Sequence, residues 1–260
     1  MKKFTWLAVS IVALLALALP GCSNGTNNTT TTNAAAITIN VATDATWEPF
    51  ESINQQTKQI EGFDIDVLNA IATKVNLTVH YVDVGFDPLL AGMAQGTYDA
   101  AISSITITPE RQAKMLFSNP YYVAGQMITV KLNNTTITGQ ASLTGKKLGA
   151  QLGTTGEMLA KGVANATVKS YDEIGLAYQD LLNGQIDAVI CDTPIANNYV
   201  KKNATALKTV GSALSTENYG IAVAKGKTDI LNKINQGLAI IQSNGTLDQL
   251  MVKWDVKPKS

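Results

Sequence analysis

Gly96-Thr97-Tyr98-Asp99-Ala100-Ala101-Ile102 is answered further along the chain by Gly184-Gln185-Ile186-Asp187-Ala188-Val189-Ile190. An apolar helical pattern runs into each stretch: Leu89, Leu90 and Met93 before the first, Leu176, Leu181 and Leu182 before the second. A glycine then breaks the helix, and a short apolar run ends in small polar or charged residues, Ser103-Ser104 in one case and Cys191-Asp192 in the other. Helix, tight turn and buried strand form the unit of an open α/β sheet, which carries its ligands just beyond the carboxyl ends of the strands. Two copies predict two similar lobes facing each other across a cleft.

Working outward, strands are predicted over 37–42, 77–82 and 100–102, with helices over 64–75 and 86–95 between them. Asp64 falls at a helix start, where a carboxylate complements the dipole. The alternation restarts with strands at 147–150, 167–171 and 186–190 and helices at 154–163, 172–182 and 193–201. It predicts mostly parallel sheets with right-handed crossovers. Residues 121–130 and 217–224 are extended and apolar without helical period, as expected of a chain that crosses to a second lobe and returns. Helices over 228–242 and 246–254 are expected to pack back on the first lobe.

The 260 residues carry 20 basic and 20 acidic side chains, without a basic stripe, so nucleic acid is not an expected partner. Lys2-Lys3 and the apolar stretch from Trp6 to Leu19 read as the n- and h-regions of an export signal, short for a membrane span. The stretch ends in Leu19-Pro20-Gly21-Cys22, which resembles the lipobox of prokaryotic lipoproteins. That resemblance implies a signal peptide over 1–21, lipidation of Cys22 and anchoring to the membrane outside the cytoplasm. The Asn/Thr/Ala-rich segment 22–36 reads as a flexible tether. With Cys22 lipidated, Cys191 has no disulfide partner, and the fold must rest on its core.

Several residues have chemistry suited to a cleft. In Thr106-Ile107-Thr108-Pro109-Glu110-Arg111, Thr108 can cap a helix and Pro109 fits its first position. Arg111 then lies in the first turn near Ser103, Ser104 and Thr106. A guanidinium among hydroxyls suits a carboxylate, held by two parallel hydrogen bonds. A surface arginine paired with a nearby glutamate fits the spacing equally well. Gly153-Thr154-Thr155-Gly156-Glu157 opens a helix and makes an anion-facing turn, which a simple capping turn also explains. Asp192 ends a strand, where it can accept from an ammonium. Asp44 ends the first strand, and Trp47 and Phe86 can form aromatic walls beside it, whereas Phe50 reads as core. With one histidine and scattered carboxylates, no metal and no cofactor are expected.

From Ile37 to Trp254 the chain resembles the polar amino-acid binding proteins of ABC importers, the type II periplasmic binding family. The matching stretches include Ala42-Thr43-Asp44, Trp47-Glu48-Pro49-Phe50, Glu61-Gly62-Phe63-Asp64-Ile65-Asp66, the segment from Ser103 to Arg111, Phe117-Ser118-Asn119-Pro120-Tyr121-Tyr122, Leu152-Gly153-Thr154-Thr155-Gly156 and Tyr219-Gly220-Ile221-Ala222. The resemblance implies a two-lobed α/β fold, each lobe a mostly parallel sheet flanked by helices and joined to the other by two hinge strands: lobe 1 at 37–120, a hinge at 121–125, lobe 2 at 126–215, a second hinge at 216–220, and a return to lobe 1 over 221–260. It also implies a monomer that captures a free L-amino acid and hands it to a membrane permease. Arg111, with Thr106 and the Thr154-Thr155 turn, would take the α-carboxylate; Asp192, with Ser104, would take the ammonium. Trp47 and Phe86 would sandwich the side chain, and Asp44 and Gln151 would meet its polar end. Gln151 and Cys191 stand where some glutamine binders carry lysine and histidine. Without that lysine, and with Asp44 available, arginine is favoured and glutamine comes next.

Two other functions fit the same fold: a dehydratase acting on prephenate-like acids, and a sensory input domain. Dehydration needs a proton donor of raised pKa, for which Asp172 and Glu173 are candidates, while His80, inside a strand, reads as structural. A sensory domain would share the lipobox and the tether, so the sequence leaves permease and receptor partners open.

Overall fold

The computed structural model describes residues 36–257. The expected signal, lipobox cysteine and nearly all of the tether lie outside them. Among the described residues no helix is long and apolar enough to cross a membrane.

In chain order, β1 (Ile37–Thr43) leads into a small ribbon of β2 (Thr46–Trp47), β3 (Glu51–Ile53) and β4 (Ile60–Glu61). Then come α1 (Phe63–Val75), β5 (Leu77–Asp83), α2 (Phe86–Gln95), β6 (Ala100–Ala101), the single turn α3 (Pro109–Gln112) and β7 (Leu116–Phe117). The chain crosses through β8 (Tyr122–Ala124) to β9 (Gln126–Lys131), β10 (Lys147–Gln151), α4 (Thr155–Lys161), β11 (Thr167–Tyr171), α5 (Ile174–Asn183), β12 (Ala188–Asp192), α6 (Thr193–Lys202) and β13 (Leu207–Val210). It returns through β14 (Glu217–Tyr219) to β15 (Ala222–Val223), α7 (Thr228–Ser243) and α8 (Thr246–Lys253).

Two five-stranded sheets result, ordered β5-β1-β6-β15-β7 and β11-β10-β12-β9-β13. The orders correspond strand for strand. In each sheet four strands run one way, and the reversed strand, β15 or β9, is the one that has just arrived from the other lobe. The crossing segments β8 and β14 pair antiparallel, Tyr122 opposite Tyr219. The short ribbon β2–β4 and the strands β7 and β13 are additions to the predicted elements.

The repeated sequence has one structural meaning in both lobes. Gly96 and Gly184 end α2 and α5 in the left-handed region, at φ 75° and 73°, which glycine reaches without Cβ strain. Three residues on, Asp99 accepts the Asn40 N–H at 2.9 Å and Asp187 accepts the Lys147 N–H at 2.8 Å. Each aspartate thus ties the return strand to the opening of its neighbour, which fixes register and brings both strand ends to the cleft.

The first lobe packs Phe50, Phe63, Tyr122 and Tyr219 edge to face and stacked, with centroids 5.1 to 5.8 Å apart. The C-terminal helices pack on α1 of this lobe. Ile234, Leu238 and Ile241 are buried along α7, and Lys253 and Trp254 both donate to Asp66 of α1. The second lobe has its own core of Ile128, Val130, Leu143, Leu148, Ala188 and Ile190. Full burial of each valine, leucine or isoleucine among them is worth about 1.5–3 kcal/mol.

Candidate functional site

The carboxyl ends of β6 and β12 meet across a cleft lined by Trp47, Phe86, Ser103, Ser104, Thr106, Arg111, Thr154, Thr155 and Asp192. Its unfilled space is about 220 Å³, part of it open to solvent. The structure therefore brings nine of the eleven predicted binding residues to one place. Asp44 and Gln151 lie just behind it, bonded to each other.

Arg111 is set by its local sequence. The Thr108 hydroxyl caps α3 by accepting the Arg111 N–H at 3.2 Å, and Pro109 occupies the first helical position. The side chain is buried, which excludes the surface ion pair that spacing alone allowed. Its guanidinium donates to the Thr106 carbonyl at 2.8 Å and, across the cleft, to the Gly153 carbonyl at 3.0 Å. It also sits 5.3 Å above the Phe86 ring. Its Nε has no partner. Burial lowers the guanidinium pKa, while Asp192 and then Glu217 push it back up.

Asp192 closes β12. It accepts from the Gln126 amide at 2.8 Å and from the Tyr219 hydroxyl. Burial, with a smaller contribution from Glu217, raises its pKa to about 7. A cation placed beside it would restore the charged form. Ser104, at the end of the first lobe's sheet, has a buried hydroxyl without a partner. Two polar groups without partners, one of them cationic, thus lie at one cleft, whereas buried polar atoms elsewhere generally find partners.

The far end is a hydrogen-bonded chain. Trp47 donates its indole N–H to Gln151, whose amide donates to Asp44 at 2.7 Å and to the Asp172 carbonyl at 2.9 Å. Asp44 also accepts the Thr46 hydroxyl at 2.8 Å. Burial lifts its pKa to about 6 despite the bonds from Thr46 and Gln151, helped slightly by Asp83 and Glu173.

Five supporting residues were not singled out as site residues from the sequence. Glu51 and Asp64 are buried behind Ser103 and Ser104: Glu51 accepts the Ser103 hydroxyl at 2.9 Å, and Asp64 accepts the Ser104 N–H at 2.7 Å and the Tyr121 hydroxyl at 2.8 Å. Burial raises Asp64 to about 7 and Glu51 well above its ordinary value. The expected dipole role of Asp64 is thus secondary, since its carboxylate turns inward to hold the strand end. Glu217, Gln126 and Tyr219 surround Asp192. For Glu217 there was one sequence signal, a lone acid opening an otherwise apolar crossing. Cys191 is buried against Tyr178, its thiol pKa pushed well up by burial, and it does not line the cleft. His80 is exposed on β5.

The family model of the bacterial extracellular solute-binding proteins, family 3, matches residues 39–257. A probable histidine-binding protein of Campylobacter jejuni is 30% identical over 260 residues, covering 99% of this chain and all of the relative. The ABC transporter arginine-binding protein 1 of Escherichia coli is 35% identical over 228 residues, 85% of this chain and 92% of the relative. Among solved structures, an ancestral arginine-binding protein bound to arginine superposes with a TM-score of 0.80 at 41% identity, covering 84% of this chain and 97% of that one.

Proposed function

Because the chain belongs to the bacterial extracellular solute-binding proteins of family 3, which bind rather than transform their ligands, we propose that its cleft captures free L-arginine and presents it to an ABC importer. The observation that carries this reading is Arg111, buried with an unpartnered Nε at the same cleft as the carboxylate of Asp192. An α-amino acid is the smallest ligand that answers both charges at once. Arg111 takes the α-carboxylate, and Asp192 takes the ammonium with help from Ser104.

Trp47 and Phe86 flank the path of the side chain, and Asp44 waits at its end. A guanidinium there would displace the Gln151 amide from Asp44 and relieve a buried acid whose pKa stands near 6. A glutamine side chain could instead exchange amides with Gln151, which makes glutamine the second ligand. Ligand contacts on both lobes favour the closed arrangement, with the hinge in the paired crossings β8 and β14. The chain is exported, processed at Cys22 and held on the membrane by lipid, with 22–36 as its tether. It works as a monomer.

A thermal-shift screen against the twenty amino acids tests the reading, since a ligand that binds only the folded state raises the melting temperature. Arginine should give the largest rise. No rise with any amino acid would remove the proposal.

A further inference from the structure

We infer that Glu217 is a positioning residue that decides which end of the ligand the cleft threonines can hold: it turns Thr106 and Thr155, one from each lobe, into acceptors for the ammonium. The inference rests on the amino-acid reading above and adds a group that touches no ligand.

Each hydroxyl has a single proton, so its partner decides what the oxygen can still offer. Thr106 and Thr155 both donate to the same oxygen of Glu217, each at 2.7 Å. The other oxygen of Glu217 takes the Ser215 hydroxyl at 2.7 Å. The Gln126 amide faces the oxygen shared by the two threonines at 3.4 Å, donates to Thr155 at 3.0 Å and reaches Asp192 at 2.8 Å. A carboxylate surrounded by donors accepts all of them. Both threonine protons are thereby fixed away from the cleft, and their remaining lone pairs face it.

Thr154 follows the same rule, donating to the Gln151 carbonyl at 2.7 Å, and Ser103 donates to Glu51. Only the Ser104 hydroxyl remains uncommitted among the five. Thr106, Thr154 and Thr155 therefore have no side-chain proton to give a carboxylate, which leaves that end of the ligand to Arg111. Glu217 lies on β14, in the crossing itself, and its two threonine partners come from opposite lobes.

The test compares L-arginine and L-glutamine with the α-hydroxy acid analogue of each, in which a hydroxyl replaces the ammonium. Calorimetry is run on the wild-type chain and on Glu217→Ala, Glu217→Gln, Thr106→Val and Thr155→Val. Wild type should prefer the amino acid strongly. Glu217→Ala frees both hydroxyls to rotate, and the preference should fall about tenfold for each that turns, the size of one hydrogen bond to a charged group. Each valine variant should lose about tenfold through its missing acceptor, and these variants decide the matter if Glu217→Ala does not fold. Glu217→Gln keeps an oxygen toward the threonines and should retain the preference within about threefold. That rescue separates orientation from simple attraction between Glu217 and the ammonium.

An unchanged preference in Glu217→Ala or in both valine variants overturns the inference while leaving the amino-acid reading intact. So does a loss in Glu217→Gln equal to that in Glu217→Ala. A wild-type chain that binds neither amino acid overturns both.

Discussion

Lowering the pH from about 7.5 to about 5 should weaken arginine about tenfold more than glutamine. Asp44 is the reason. Burial sets its pKa near 6 in the unliganded cleft, so near pH 7.5 it is almost wholly ionised and ready for a guanidinium. One unit below that pKa only about a tenth remains ionised, and holding the cation then requires expelling a proton, at about 1.4 kcal/mol per unit. Glutamine has no charge at that end and escapes this penalty. Asp192, whose pKa stands at about 7, also protonates over this range. In the proposed pose it faces the ammonium common to both ligands, so its effect cancels in the ratio of the two affinities. Titration calorimetry at both pH values, repeated in buffers of different ionisation enthalpy, reads the ratio and counts protons. Arginine should release more protons than glutamine below about pH 6, and Asp44→Asn should abolish the difference. A ratio that does not move, or one that still moves in Asp44→Asn, would refute the placement of Asp44 against a cationic side chain.

Arg111→Ala should leave a cooperative fold and weaken every amino-acid ligand by about 3–5 kcal/mol, because it strands a buried carboxylate; near-native calorimetric affinity would contradict it. The unliganded chain should melt higher near pH 5 than near pH 8. Asp44, Asp64 and Asp192 have folded pKa values raised to about 6, 7 and 7, so they favour the folded state when protonated, and that contribution is lost as the pH rises through those values. The differential melting curve should shift by several degrees, at about 2–4 °C per kcal/mol for a chain of this size. At Gly237 a Cβ would lie 2.8 Å from Ile71 Cγ2 and 2.9 Å from the Ile71 carbonyl oxygen. Gly237→Ala should therefore lower stability by about 1–3 kcal/mol, less about 1 kcal/mol gained in helix propensity; a higher melting temperature would argue against the close contact of α1 and α7.

What the sequence revealed was local. Gly96 and Gly184 are read correctly because a helix-ending glycine before a short apolar run is a matter of neighbouring residues. Arg111 is legible for the same reason, through Thr108 and Pro109 beside it. The short strands β2, β3 and β4 have too few residues to show a period, and β13 follows a helix without a turn signal strong enough to mark it. Glu217 meets Thr106 across 111 positions and Glu51 meets Ser103 across 52. No spacing rule reaches that far, and only the folded topology reveals that these acids stand behind the cleft. Asp64 shows the converse limit: a helix-start aspartate has a sufficient local explanation, which hides the long-range one.

The central claim, a single amino acid held by its two charges between the lobes, is tested most directly by a crystal structure grown with L-arginine. The account predicts one ligand in the cleft, its carboxylate on the Arg111 guanidinium, its ammonium on Asp192, and its side chain running between Trp47 and Phe86 toward Asp44. Arginine bound elsewhere, or lying in the cleft with its carboxylate away from Arg111, would contradict it.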